Sequence, residues 1–167
     1  MKIPFHITEF GACLTEAPCT QEIRQVTEVA DEFLVGWAYW EFKNYEDLTT
    51  SAGTGSEGFY NQDGSLQSWK VKAMARTYMM FSQGTPIKNF FDMDSGFFEG
   101  KLKVNTEIEH PTQIYFSQEY YYNKGISFKV SLNGMELVEN QYNLNKSEYY
   151  VEVQITDPAL NGEIVEF

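Results

Sequence analysis

Glu9 ends a short apolar and β-branched stretch, Ile3 to Phe10, and stands just before Gly11 in Ile7-Thr8-Glu9-Phe10-Gly11. A carboxylate at the carboxyl end of a buried strand lies where barrel enzymes place catalytic groups, and there it can act as a nucleophile. A surface or ion-paired glutamate is the competing reading. Further along, Gly36-Trp37-Ala38-Tyr39-Trp40 puts Trp40 at the end of a second stretch, where an indole face suits the C–H face of a pyranose ring and excludes water. Strand alternation sets Ala38 and Trp40 on one side and Trp37 and Tyr39 on the other. The small Ala38 favours Trp40 as the platform, with Trp37 buried against flanking helices; the alternative is that both indoles are core. Retaining cleavage of a glycosidic bond needs a carboxylate nucleophile and a second carboxyl group about 5 to 5.5 Å away that serves as acid and then base. Glu9 supplies one of the two. Such chemistry calls for no cofactor, and His6, His110, Cys13 and Cys19 offer no spacing that resembles a metal site.

These residues need elements to hold them. Ile3 to Phe10 reads as a buried strand. From about Thr20 to Leu34, Ile23, Val26, Val29, Ala30 and Phe33 recur at helical spacing, with Thr20 as candidate N-cap and Glu22 in the first turn. Val35 to Phe42 reads as a second buried strand. Asn44 to Ser65, rich in Gly, Ser, Thr, Asn and Asp, is a long loop of the kind that builds a site mouth. A second helix is expected from about Leu66 to Phe81, ending at Gly84 with Pro86 beyond. After Pro86 the period falls to two: Leu102 and Val104, Ile114 and Phe116, Ile126 to Leu132 ending at Asn133-Gly134, then Val151, Val153 and Ile155, with Ile164 to Phe167 as a closing strand. Two architectures are expected: residues 1–84, with strand, helix and strand, and an antiparallel β-sandwich over residues 85–167.

Composition narrows the partners. Twelve basic residues against 24 acidic ones give a net charge of −12, which repels nucleic acid and anionic membranes and leaves neutral or zwitterionic partners. Aromatic residues make up 16% of the chain, which suits a β-rich core or a sugar-stacking surface. No run approaches the ~20 apolar residues that cross a bilayer, and the first residues lack signal-peptide features, so a soluble chain without an export address is expected. Cys13 and Cys19 are close enough in sequence to bridge, and the sequence leaves bridged and free thiols equally open. Asn145-Lys146-Ser147 is a glycosylation sequon, a tripeptide that also arises by chance.

The segments Ile7 to Cys13, Gly36 to Lys43 and Asp47-Leu48-Thr49-Thr50 resemble the endoglycoceramidases of glycoside hydrolase family 5. Glu57-Gly58-Phe59-Tyr60, Asp63-Gly64, Arg76-Thr77-Tyr78 and Phe90 to Phe98 follow in that family's order. The resemblance implies the last two strands and helices of a (β/α)8 TIM barrel followed by a β-sandwich, and cleavage of the oligosaccharide–ceramide bond of glycosphingolipids with retention. It implies that Glu9 is the nucleophile and Trp40 the sugar-stacking tryptophan, while Lys43 and Glu57 receive no role and read as solvated loop charges. The family's acid/base glutamate follows an asparagine on the fourth strand, upstream of every residue here. Glu16, Glu41 and Glu46 lie on the wrong side of a barrel to replace it, so the isolated chain is expected to be inactive and to associate with the missing barrel portion. The parent family implies a secreted or lysosomal setting. A non-catalytic protein that binds glycolipid or carbohydrate through the β-sandwich is the alternative from another class.

Overall fold

The computed structural model describes residues 5–11, 15–43 and 57–167. The chain divides into two compact units, Met1–Met74 and Ala75–Phe167. Glu46, Asp47-Leu48-Thr49-Thr50 and Cys13 lie outside the described residues.

In the first unit, β1 (His6–Ile7) and β2 (Gly36–Trp37) are parallel neighbours joined by α1 (Glu16–Glu32). Parallel strands need such a crossover, because a tight turn can only reverse the chain. One side of α1 buries Cys19, Ile23, Thr27 and Ala30, spaced four, four and three residues apart as one helical face requires. Thr27 is tolerated there because its hydroxyl donates to the Ile23 carbonyl at 2.8 Å. The helix begins earlier than its apolar period suggests: Thr15, in extended conformation, is the N-cap, not Thr20. Pro18 explains how. It falls in the first turn, where backbone N–H groups have no helical partner, so its missing N–H costs nothing. At the other end Leu34 turns left-handed (φ 53°), and the Val35 N–H reaches back to the Ala30 carbonyl at 2.8 Å, which closes the helix. Cys19 is fully buried and disulfide-bonded.

The expected second helix is shorter. α2 spans Ser68–Met74, and Tyr78–Phe81 form a strand, β3, instead of two further turns. The spacing of Val71, Met74, Tyr78 and Phe81 fits a helix, but Tyr78, Met79 and Phe81 take up ladder partners in Thr112–Tyr115, which is β6. Long-range pairing outweighs a weak local preference here.

The second unit is a sandwich of two antiparallel sheets. β3, β6, β10 (Tyr150–Ile155) and β9 (Tyr142–Lys146) form one in that order. β4 (Gly84–Phe91), β5 (Phe98–Val104), β11 (Ile164–Glu166), β7 (Ser131–Leu132) and β8 (Met135–Glu136) form the other. Alternation decides the core: Val151, Val153 and Ile155 of β10 face Leu102 and Val104 of β5 and Val165 of β11. Asn133 and Gly134 both have positive φ (51° and 77°), as a two-residue hairpin demands, and join β7 to β8. The strand expected over Ile126 to Leu132 is ladder-bonded only at Ser131–Leu132; Ile126, Phe128 and Val130 turn toward the core without joining a sheet.

The ends of the two sheets meet at Gln83, which is fully buried. Its Nε2 donates to the carbonyls of Ile108 (3.2 Å) and Ile155 (3.0 Å), and its Oε1 accepts from the Ile155 N–H at 2.8 Å. Its own N–H reaches the Thr112 hydroxyl and its carbonyl accepts from Asn105, each at 3.0 Å.

Candidate functional site

Glu9 and Trp40 lie at the carboxyl ends of the parallel pair. The Ala38 N–H donates to the Ile7 carbonyl at 2.9 Å and the Trp40 N–H to the Phe10 carbonyl at 2.8 Å, and Gly11 bridges Trp40 in parallel register. Between the Ile7–Trp37 and Gly11–Trp40 partnerships the first segment takes four steps and the second three. The extra residue is a bulge in the segment that carries Glu9. Bulges re-aim side chains at the rims of sheets, which alternation alone cannot do.

Phe10 meets Trp37 (5.7 Å between centroids, 77°) and Tyr39 (5.3 Å, 88°) edge-on, and Tyr39 stacks on Phe59 at 5.3 Å. These rings fix one side of the strand pair. Glu9 is exposed and Trp40 half-buried, and the Trp40–Glu41 peptide is cis. Gly11 allows the close approach: a Cβ there would lie 2.0 Å from the Trp40 carbonyl oxygen. Gly11→Ala is therefore expected to part the strand ends and cost the first unit about 2 kcal/mol or more. Denaturant titration checks this, and an unchanged midpoint would contradict the bridge.

The same unit buries a polar group around the Gly58 carbonyl. Glu57 is 6% exposed and Lys70 fully buried, so Glu57 is not the solvated loop charge expected of it. Lys70 Nζ and Gln67 Nε2 both donate to the Gly58 carbonyl, each at 3.0 Å, which pins the start of the 57–60 segment to α2. Burial pushes the Lys70 ammonium down while the charge of Glu57 opposes that shift. A faint signal was present in the sequence: Lys70 is three residues before Ala73, on the helix side that must pack. Lys43 is exposed, and so is Glu16 in the first turn of α1.

The Tyr39 phenol is pushed up to about 12, first by burial and then by the charges of Glu22 and Glu57. Its oxygen is buried without a hydrogen-bond partner among the described residues. A raised folded value means that the folded protein holds this proton longer than the unfolded chain. The fold opposes its ionisation, so stability is unaffected below about pH 10 and falls as pH rises through about 12. Tyr39→Phe is expected to abolish that alkaline loss and, by removing an unpaired buried hydroxyl, to stabilise by roughly 1 kcal/mol near neutral pH. Urea titrations of both proteins at neutral and strongly alkaline pH test it; parallel losses in the two would refute it.

The profile of the glycoside hydrolase family 5 C-terminal domain matches residues 76–165. Endoglycoceramidase I of Rhodococcus hoagii is 29% identical over 119 residues, which cover 71% of this chain and 20% of that protein. Endo-glycoceramidase II from a Rhodococcus species, solved as a complex with a five-membered iminocyclitol, superposes with a TM-score of 0.63 at 20% identity, covering 98% of this chain and 32% of that one. The same enzyme has been solved with ganglioside GM3. Sterylglucosidase 1 of Cryptococcus neoformans gives a TM-score of 0.62 at 15% identity, covering 91% of this chain and 24% of that one. The chain thus spans between a fifth and a third of the relatives that name a reaction.

Proposed function

Because this chain belongs to glycoside hydrolase family 5 through the family's C-terminal domain, we propose that it works in a retaining glycosidase, with Glu9 as nucleophile and Trp40 as the platform under the sugar. In this reading β1, α1, β2 and α2 are the last strands and helices of a (β/α)8 barrel, and the sandwich follows them. The substrate is a glycolipid, and the bond cleaved is the one between the glycan of a glycosphingolipid and its ceramide. The similarity to the endoglycoceramidases supports the substrate class, as does the ganglioside bound by one of them.

The observation that carries the proposal is the position of Glu9: on a bulged strand end, beside the parallel Gly11–Trp40 bridge. The Glu9 carboxylate attacks the anomeric carbon and forms a glycosyl ester as the bond to the lipid oxygen breaks, and a second carboxyl group gives that oxygen its proton. Water, deprotonated by the same second group, then displaces the sugar from Glu9. Trp40 shields this exchange from bulk solvent while the ester lasts.

Trapping the ester tests this most directly. A 2-deoxy-2-fluoro glycoside with an activated phenolate leaving group reacts without acid assistance and hydrolyses slowly. Incubated with the protein that carries this chain, it is expected to add one fluoroglycosyl group to the peptide containing Glu9, seen by mass spectrometry after proteolysis. Labelling at another carboxylate would remove Glu9 from the role.

A further inference from the structure

A cavity of about 250 Å³ opens within the sandwich unit, walled by Ile114, Phe116, Ile126, Phe128, Val151 and Phe167. Ile126 and Phe128 reach it from a segment outside every ladder. Phe128 and Phe167 stack there at 6.2 Å and 23°. Two hydroxyls among these rings, of Thr77 and Tyr122, are already committed. Tyr122 donates its hydroxyl proton to the Gly96 carbonyl at 2.7 Å, so the Thr77 hydroxyl, 2.8 Å away, donates to Tyr122. A sugar placed against the apolar walls would lose most of its water hydrogen bonds, which costs several kcal/mol. An alkyl chain loses nothing of the kind.

Charge at the mouth selects the head of such a ligand. Lys129 is the one ionic residue of the lining, and it is exposed. Its neighbour Glu136, at 3.6 Å, is exposed as well, so the ammonium remains open to solvent and to an anion. In a chain of net charge −12, a cation at the rim of an apolar cavity is a local exception. We infer that the cavity is a binding site for a medium-chain carboxylate, with its alkyl chain between the sheets and its carboxylate at Lys129. The site uses neither Glu9 nor Trp40 and is independent of their proposed roles.

Calorimetric titration of the whole protein with decanoate as the probe tests the assignment. One probe per chain is expected. Ser127→Trp, at an exposed lining position, and Ile126→Phe are each expected to weaken binding by about tenfold or more while circular dichroism stays unchanged. Lys129→Glu should weaken the carboxylate and spare the alcohol of equal length. Glu9→Gln should bind the probe as the parent protein does, which separates failure here from failure of the catalytic proposal. The site is refuted if the folded parent protein binds no probe, if lactose displaces it, or if both blocking variants bind normally. An unchanged carboxylate affinity in Lys129→Glu would overturn the head assignment.

Discussion

Glu9→Gln in the protein that carries this chain is expected to lower kcat/KM on a fluorescent glycosphingolipid by about 10³-fold or more. The size follows from what is lost. Without the carboxylate no glycosyl ester forms, and the oxocarbenium-like transition state loses the negative charge opposite it. Glu9→Ala should behave likewise but leave a gap beside the anomeric carbon. Azide can enter that gap and attack directly, so added azide is expected to restore turnover and to give a glycosyl azide of inverted configuration. Rescue with inversion marks a nucleophile, whereas a merely structural glutamate would give no azide product. Activity of Glu9→Gln within tenfold of the parent would end the assignment.

The second large effect concerns Gln83. Gln83→Met keeps the volume of the side chain but removes the donor shared by the Ile108 and Ile155 carbonyls and the acceptor of the Ile155 N–H. These backbone groups stay buried with fewer partners, and at roughly 1 kcal/mol or more for each lost bond the sandwich is expected to lose about 3 kcal/mol. For a unit of this size that is a fall in Tm of roughly 12–24 °C. Gln83→Glu should do at least as badly at neutral pH, because a carboxylate would face two carbonyl oxygens that now accept from Nε2. Calorimetry of the three proteins decides it. If Gln83→Met melts with the parent, the amide does not tie the ends of the sheets together.

Much of the architecture was legible because local pattern and tertiary demand coincided. The period-two runs at Leu102–Val104 and Val151–Ile155 became sandwich strands, since alternation is what a sheet with one buried face requires. Asn133-Gly134 turned where both residues must take positive φ. The misreadings have one source. Tyr78 to Phe81 carry a helical period, yet β6 supplies the edge that makes them a strand. Ile126 to Val130 alternate correctly, yet no neighbouring strand pairs with them, and Ile126 and Phe128 line the cavity instead. In both cases the deciding partner is remote in sequence.

For the candidate site, the sequence by itself determined the residue types: a carboxylate before Gly11, an indole at the end of the next apolar stretch, and the family to which both point. Only the tertiary structure decided their setting. Parallel pairing joined the Gly11 and Trp40 backbones, and a one-residue bulge fell on the segment of Glu9. It also decided that Glu57 and Lys70, charges that solvent would ordinarily keep, lie buried, with Lys70 on the Gly58 carbonyl. The physical reason is that side-chain chemistry is written locally, whereas register and burial depend on chain segments that meet only once the fold has formed.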